Sequence, residues 1–148
     1  MSFSLPPIAK DAERLLLDIE QAVADFPRKH RHTAGERLRE QAMTVTELVH
    51  RAWRDRPRQA EWADALRWEI DSLKIRLQLC SRLHAFSSSG RFWQLAKQAK
   101  ALGKQAGGWH RQLSGNHPKG QSAQGGNARA QRTQKLSTRG TSGWEVYR

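Results

Sequence analysis

A single cysteine, Cys80, stands among 148 residues. One thiol cannot close an intramolecular disulfide, and it offers none of the spacings of a metal finger. A reducing, cytoplasmic home is therefore expected. No apolar run approaches the roughly 18 residues that a membrane span needs. The opening MSFSLPPIAKDAE meets prolines and acidic residues too early for a secretory leader, so a soluble protein without a membrane partner is expected. Glycine-rich stretches follow no strand and precede no helix, which excludes a phosphate-binding loop. Acidic residues are also scarce, 14 against 26 Lys and Arg, giving a net charge of +12 and a pI near 11.0. That imbalance calls for a polyanionic partner, such as a nucleic acid.

Proline and glycine are likewise missing from Arg58 to Phe86, and the chain is organised around this stretch. At about 100° per residue its apolar residues fall on two opposite stripes. Trp62, Leu66, Ile70, Leu73, Leu77 and Cys80 form one; Trp68, Ile75, Leu79 and Phe86 form the other. A surface helix needs only one apolar stripe. The first predicts burial in the chain's own bundle, and the second predicts a further helix or a second copy of the chain. Trp68, Ile75 and Leu79 are the candidate oligomer interface.

The remaining helices follow from their breaks. Ile8, Ala12, Leu15, Ile19, Ala22 and Phe26 repeat in steps of four and three, which marks one buried seam, and Pro27 ends that helix. A basic connection, Arg28-Lys29-His30-Arg31-His32, comes next. Thr33 followed by Glu36 predicts a capping box for a second helix, with Leu38, Ala42, Val45, Val49 and Ala52 inward and an end near Asp55. Ser87-Ser88-Ser89-Gly90 breaks the third helix and can cap a fourth, over 91–113. There Phe92, Leu95, Ala99, Leu102, Ala106 and Leu113 share one side, while Gly103, Gly107 and Gly108 weaken the last turns. The expected fold is all-α, an antiparallel four-helix bundle over 1–113. Residues 114–148 carry six basic residues and one acidic, so +5 of the +12. Their composition predicts a flexible basic tail, closed by Trp144-Glu145-Val146-Tyr147-Arg148, either a docking peptide or a frayed end.

No arrangement points to catalysis, and neither a metal nor a cofactor is expected. Cys80 and His84 stand four apart, but two ligands make no site, and a cysteine on an apolar stripe behaves as a small hydrophobe. His30 and His32 flank Arg31 in a connection. Acidic residues lie scattered as i,i+4 partners for arginines.

The basic groups carry more information. Arg28, Lys29 and Arg31 occupy the first connection; Arg54, Arg56 and Arg58 the second. Lys97, Lys100, Lys104 and Arg111 form a row on the fourth helix, which contains no acid, with Trp93 at its edge. These are the candidate nucleic-acid-binding residues. In such a bundle they cannot form one compact spot, but they can line a track or recur around an oligomer. Contacts to phosphate would dominate and depend on salt. Trp93 either packs or stacks on a base.

Phe26-Pro27-Arg28-Lys29-His30, Gly35-Glu36-Arg37-Leu38 and Leu102-Gly103-Lys104-Gln105-Ala106-Gly107-Gly108-Trp109 stand at matching places of a small basic four-helix chain. In these, and in the order and length of its helices, the sequence resembles the accessory variability determinant proteins of diversity-generating retroelements. The resemblance covers about 8–113 and leaves the tail out. It implies a homopentamer of four-helix bundles that binds the retroelement's reverse transcriptase and template RNA and supports mutagenic copying. The four-helix proteins encoded in intervening sequences of large ribosomal RNA genes are similar in fold. They represent the alternative, a scaffold with protein partners and no specific nucleic-acid role.

Overall fold

The computed structural model describes residues 5–115, all of the regular elements being helical. In chain order these are α1 (Pro7–Ala24), a single turn α2 (Arg28–Arg31), α3 (Ala34–Arg54), a 3-10 turn (Arg56–Arg58), α4 (Gln59–Arg82) and α5 (Ser89–Ser114). The four long helices pack around one core. The four seams expected from the sequence meet there, and Leu15, Ile19, Leu38, Val45, Leu66, Ile70, Leu73, Leu77, Leu95 and Leu102 are fully buried. Each large side chain so placed contributes about 1.5–3 kcal/mol. Two members of the expected seams lie elsewhere. Trp62 is only half-buried and Ala63 takes the inward position, while Leu113 is half-exposed in the last turn of α5.

Polar bonds between helices sit outside that core. Gln98 of α5 donates to Asp18 of α1 at 3.0 Å and Gln105 to Asp11 at 2.6 Å. Arg39 of α3 reaches Glu20 of α1 at 2.6 Å. Gln41 of α3 donates its amide N–H to Glu69 and accepts from Arg76, both on α4. Within single helices Glu36 pairs with Arg39, Asp64 with Arg67 and Asp71 with Lys74, each at i,i+3 where i,i+4 was expected.

The helix ends differ from expectation in three places. The basic connection is itself one helical turn, α2, because Pro27 presets φ for a first turn and its carbonyl accepts the N–H groups of His30 and Arg31. The capping box does not form. With α2 in place, the Thr33 hydroxyl turns back to the Lys29 carbonyl at 3.1 Å, and Glu36 meets Arg39 instead. The third break comes early: α4 stops at Arg82, and Phe86 lies beyond its end. There His84 adopts φ 56°, so that its N–H reaches Ser81 O and the Ala85 N–H reaches Cys80 O, both at 3.0 Å. This is a Schellman closure with histidine where glycine is usual. The serine cap of α5 is as expected, with the Arg91 N–H on Ser88 Oγ at 3.1 Å, and α5 runs unbroken through its glycines to Ser114.

An aromatic chain closes one end of the bundle. Phe26 and Phe86 meet edge-on at 5.1 Å, Phe86 lies 5.7 Å from Phe92, and Phe92 lies 5.1 Å from Trp93. It joins the α1–α3 connection to the α4–α5 connection. At the α3–α4 connection Trp62 donates its indole N–H to Asp55 at 2.9 Å and Gln59 donates to the Ala52 carbonyl at 2.8 Å.

Candidate nucleic-acid interface

The outer face of α5 is a row of cations because its other faces are already used. Phe92, Leu95, Ala99, Leu102 and Ala106 are buried, and Gln98 and Gln105 are spent on α1. Lys97, Lys100, Lys104 and Arg111 are left on the far side, all exposed. No carboxylate interrupts them on this helix. Trp93 opens the row; 42% exposed, it packs edge-on against Phe92 and still presents surface to solvent. Toward the other end of α5, Arg67 donates to His110 Nδ1 at 2.9 Å, while Asp64 stands 3.6 Å from His110 Nε2. These contacts pin the turn that carries Arg111 to α4.

The remaining cations divide between the two ends of the bundle. Arg28 and Lys29 are exposed on α2, beside the aromatic end that also holds Trp93. Arg31 does not join them. It is half-buried and its Nη2 donates to the Phe26 carbonyl at 3.3 Å, so it fastens α2 to the end of α1. Arg54, Arg56 and Arg58 are exposed at the α3–α4 connection. Among the described residues none of the three forms an ion pair. Among the described residues the row on α5 runs between these two ends.

Beside the second group the surface dips into a shallow depression of about 660 Å³, lined by Leu5, His50, Trp53, Arg54 and Arg56. The Arg56 guanidinium lies over the Trp53 ring, 5.3 Å from its centroid. Arg51 sits in the same manner over Trp62, at 5.4 Å. Sequence reasoning missed Trp53 and His50. The signal was Trp53 standing between basic residues in Arg51-Ala52-Trp53-Arg54-Asp55-Arg56, an aromatic within a cationic run.

Among the described residues nothing covers the second apolar stripe of α4. Trp68 is 66% exposed, Ile75 51% and Leu79 53%, and Leu83 continues the line at 47%. Phe86, expected on this stripe, is not part of it. The turn at His84 carries it back onto Phe26 and Phe92.

Cys80 is buried, and desolvation pushes its thiol up to about 11 against the opposing pull of the Arg76 charge. A neutral thiol in that setting is a packing group and no nucleophile. Among the described residues no group of three or more His, Cys, Asp or Glu is placed to hold a metal ion, and no helix is long and apolar enough to cross a membrane. The terminal Trp144 and Tyr147 lie outside the described residues.

No protein-family model matches the chain, and no curated protein matches it.

Proposed function

We propose that the protein is a non-catalytic accessory subunit that binds RNA and a reverse transcriptase, of the kind found in diversity-generating retroelements, and supports mutagenic copying of the template. The single observation that carries the RNA part is the outer face of α5, with four exposed cations on a helix that holds no acid. A solvated surface kept only for solubility mixes charge signs. A continuous positive row instead follows a phosphate backbone, with contacts that release counterions and read little sequence. The polymerase partner rests on the sequence resemblance, and the cytoplasmic setting on the single cysteine.

In this reading the bundle is antiparallel. Rising positions on one helix meet falling positions on the next, as where Asp11 and Asp18 meet Gln105 and Gln98. The stripe of Trp68, Ile75 and Leu79 then joins protomers into a homopentamer, so that the cation rows recur around the assembly. The same stripe is the observation that favours the second reading, a scaffold with protein partners alone.

Purification of the tagged protein from its native cells, probed for a reverse transcriptase and for bound RNA before and after ribonuclease treatment, separates the two. The accessory-subunit reading expects both partners, with RNA lost on digestion. Recovery of protein partners without any RNA would leave the scaffold.

A further inference from the structure

The depression at the α3–α4 connection has a chemistry of its own. Leu5 and Trp53 line it with apolar and aromatic surface, His50 adds an imidazole, and Arg54 and Arg56 place two cations at the same spot. The two tryptophans of this connection are not equivalent. Trp62 is tied down through its N–H to Asp55, whereas Trp53 has no such bond among the described residues and contacts Arg56 through its ring face.

A half-buried tryptophan ring with the Arg56 guanidinium over it and Arg54 lining the same depression matches one ligand chemistry: a planar heterocycle that carries a phosphate, for which Arg56 turns from the ring to the phosphate. The base of a nucleotide stacks on tryptophan, and its phosphate takes charge-assisted hydrogen bonds from arginine. A base locked in a duplex cannot enter, because its faces are covered by its neighbours. Only an unpaired nucleotide presents a free face to an aromatic side chain.

We propose that Trp53, with Arg54 and Arg56, forms a binding site for one unpaired nucleotide of a single-stranded RNA segment. The proposal rests on the reading that the chain binds RNA and adds to it the form of RNA preferred. The row on α5 is indifferent to strandedness, since it meets phosphates alone. The Trp53 site selects single strands, and it lies at the α3–α4 connection, apart from Trp93 at the aromatic end.

The test compares a 15-nucleotide oligo(A) with a blunt RNA duplex of 15 base pairs, titrated by fluorescence anisotropy over a series of salt concentrations. Trp53→Leu is expected to lower affinity for the single strand about tenfold, to leave duplex affinity unchanged, and to leave the salt slope unchanged because no charge is removed. Trp53→Phe is expected to keep most of the single-strand affinity. Equal loss for both RNAs, or no loss, overturns the site. If instead Trp53→Leu spares RNA and weakens reverse-transcriptase binding, the depression contacts protein and the proposal fails. Circular dichroism reports whether Trp53→Leu folds. Ultraviolet cross-linking of the wild-type protein to oligo(A), read by peptide mass spectrometry, needs no variant. An adduct on Trp53 or His50 supports the site, and adducts confined to α5 overturn it. Wild-type protein that binds neither RNA would refute the RNA reading itself, an outcome distinct from any of these.

Discussion

A Cβ built on Gly35 would stand 2.7 Å from Val23 Cγ1 and 3.1 Å from the His30 carbonyl oxygen. α1 and α3 therefore approach at a point where only hydrogen fits, and Val23 is fully buried there. Gly35→Ala gains helix propensity, but it forces two packed elements apart. We expect a net loss of about 1–3 kcal/mol, measured by urea unfolding at an unchanged m value. An unaltered midpoint would mean that the contact yields freely.

His84 holds φ 56° at the position where helices usually place glycine. A left-handed conformation costs an L-residue about 1–2 kcal/mol, partly returned when glycine adds freedom to the unfolded chain. His84→Gly should stabilise the fold by roughly 0.5–1 kcal/mol and raise the thermal midpoint by a few degrees. A lowered midpoint would show that the exposed imidazole contributes more than the strain costs.

The Cys80 thiol, held up at about 11 against an ordinary 9.0, makes stability depend on alkaline pH. The folded state holds this proton longer than the unfolded chain does, so the contribution is complete below pH 9. It declines as pH rises from 9 toward 11, by roughly 2–3 kcal/mol. Cys80→Ala should flatten the unfolding free energy across that window, whatever it costs at neutral pH. In the native protein the thiol should resist alkylation at pH 8 and react once urea unfolds the chain. Rapid native labelling would contradict the assigned burial.

Ile75→Glu places a charge at the middle of the exposed line from Trp68 to Leu83. If that line joins protomers, light scattering of the wild type should give about 84.5 kDa, five chains of 16.9 kDa, and the variant should fall to the monomer. Its helical circular dichroism should be unchanged, because the side chain lies outside the core. A wild type that is monomeric at micromolar concentration would remove the interface.

Much of this was legible in the sequence because helix seams obey a 3.6-residue period. The steps from Ile8 to Phe26 and from Leu38 to Ala52 predicted which residues would be buried, and both seams are. The opposed stripe of Trp68, Ile75 and Leu79 was equally readable. What periodicity cannot report is how a helix ends. A histidine accepted the left-handed position at His84, so α4 ended early and Phe86 left the outer stripe to pack, half-buried, against the core. The Thr33 hydroxyl donates to Lys29 O instead of accepting from a backbone N–H of its own helix. Charge counting likewise grouped Arg31 with Arg28 and Lys29, because composition does not reveal that a guanidinium is tied to a carbonyl. The depression at Trp53 was invisible for a related reason: it arises where α3, the following turn and Leu5 meet.

The account stands on the cation row of α5, and the salt dependence of RNA affinity tests it. Measured from 50 to 300 mM salt, Lys97→Gln/Lys100→Gln/Lys104→Gln should bind RNA more weakly than wild type. The slope of log affinity against log salt should shrink by about 2–3, near one unit for each phosphate contact removed. Thermal stability should hardly change, since all three side chains are exposed. Equal affinity with an equal slope would show that the row is only solvated surface, and the proposed RNA-binding role of α5 would be wrong.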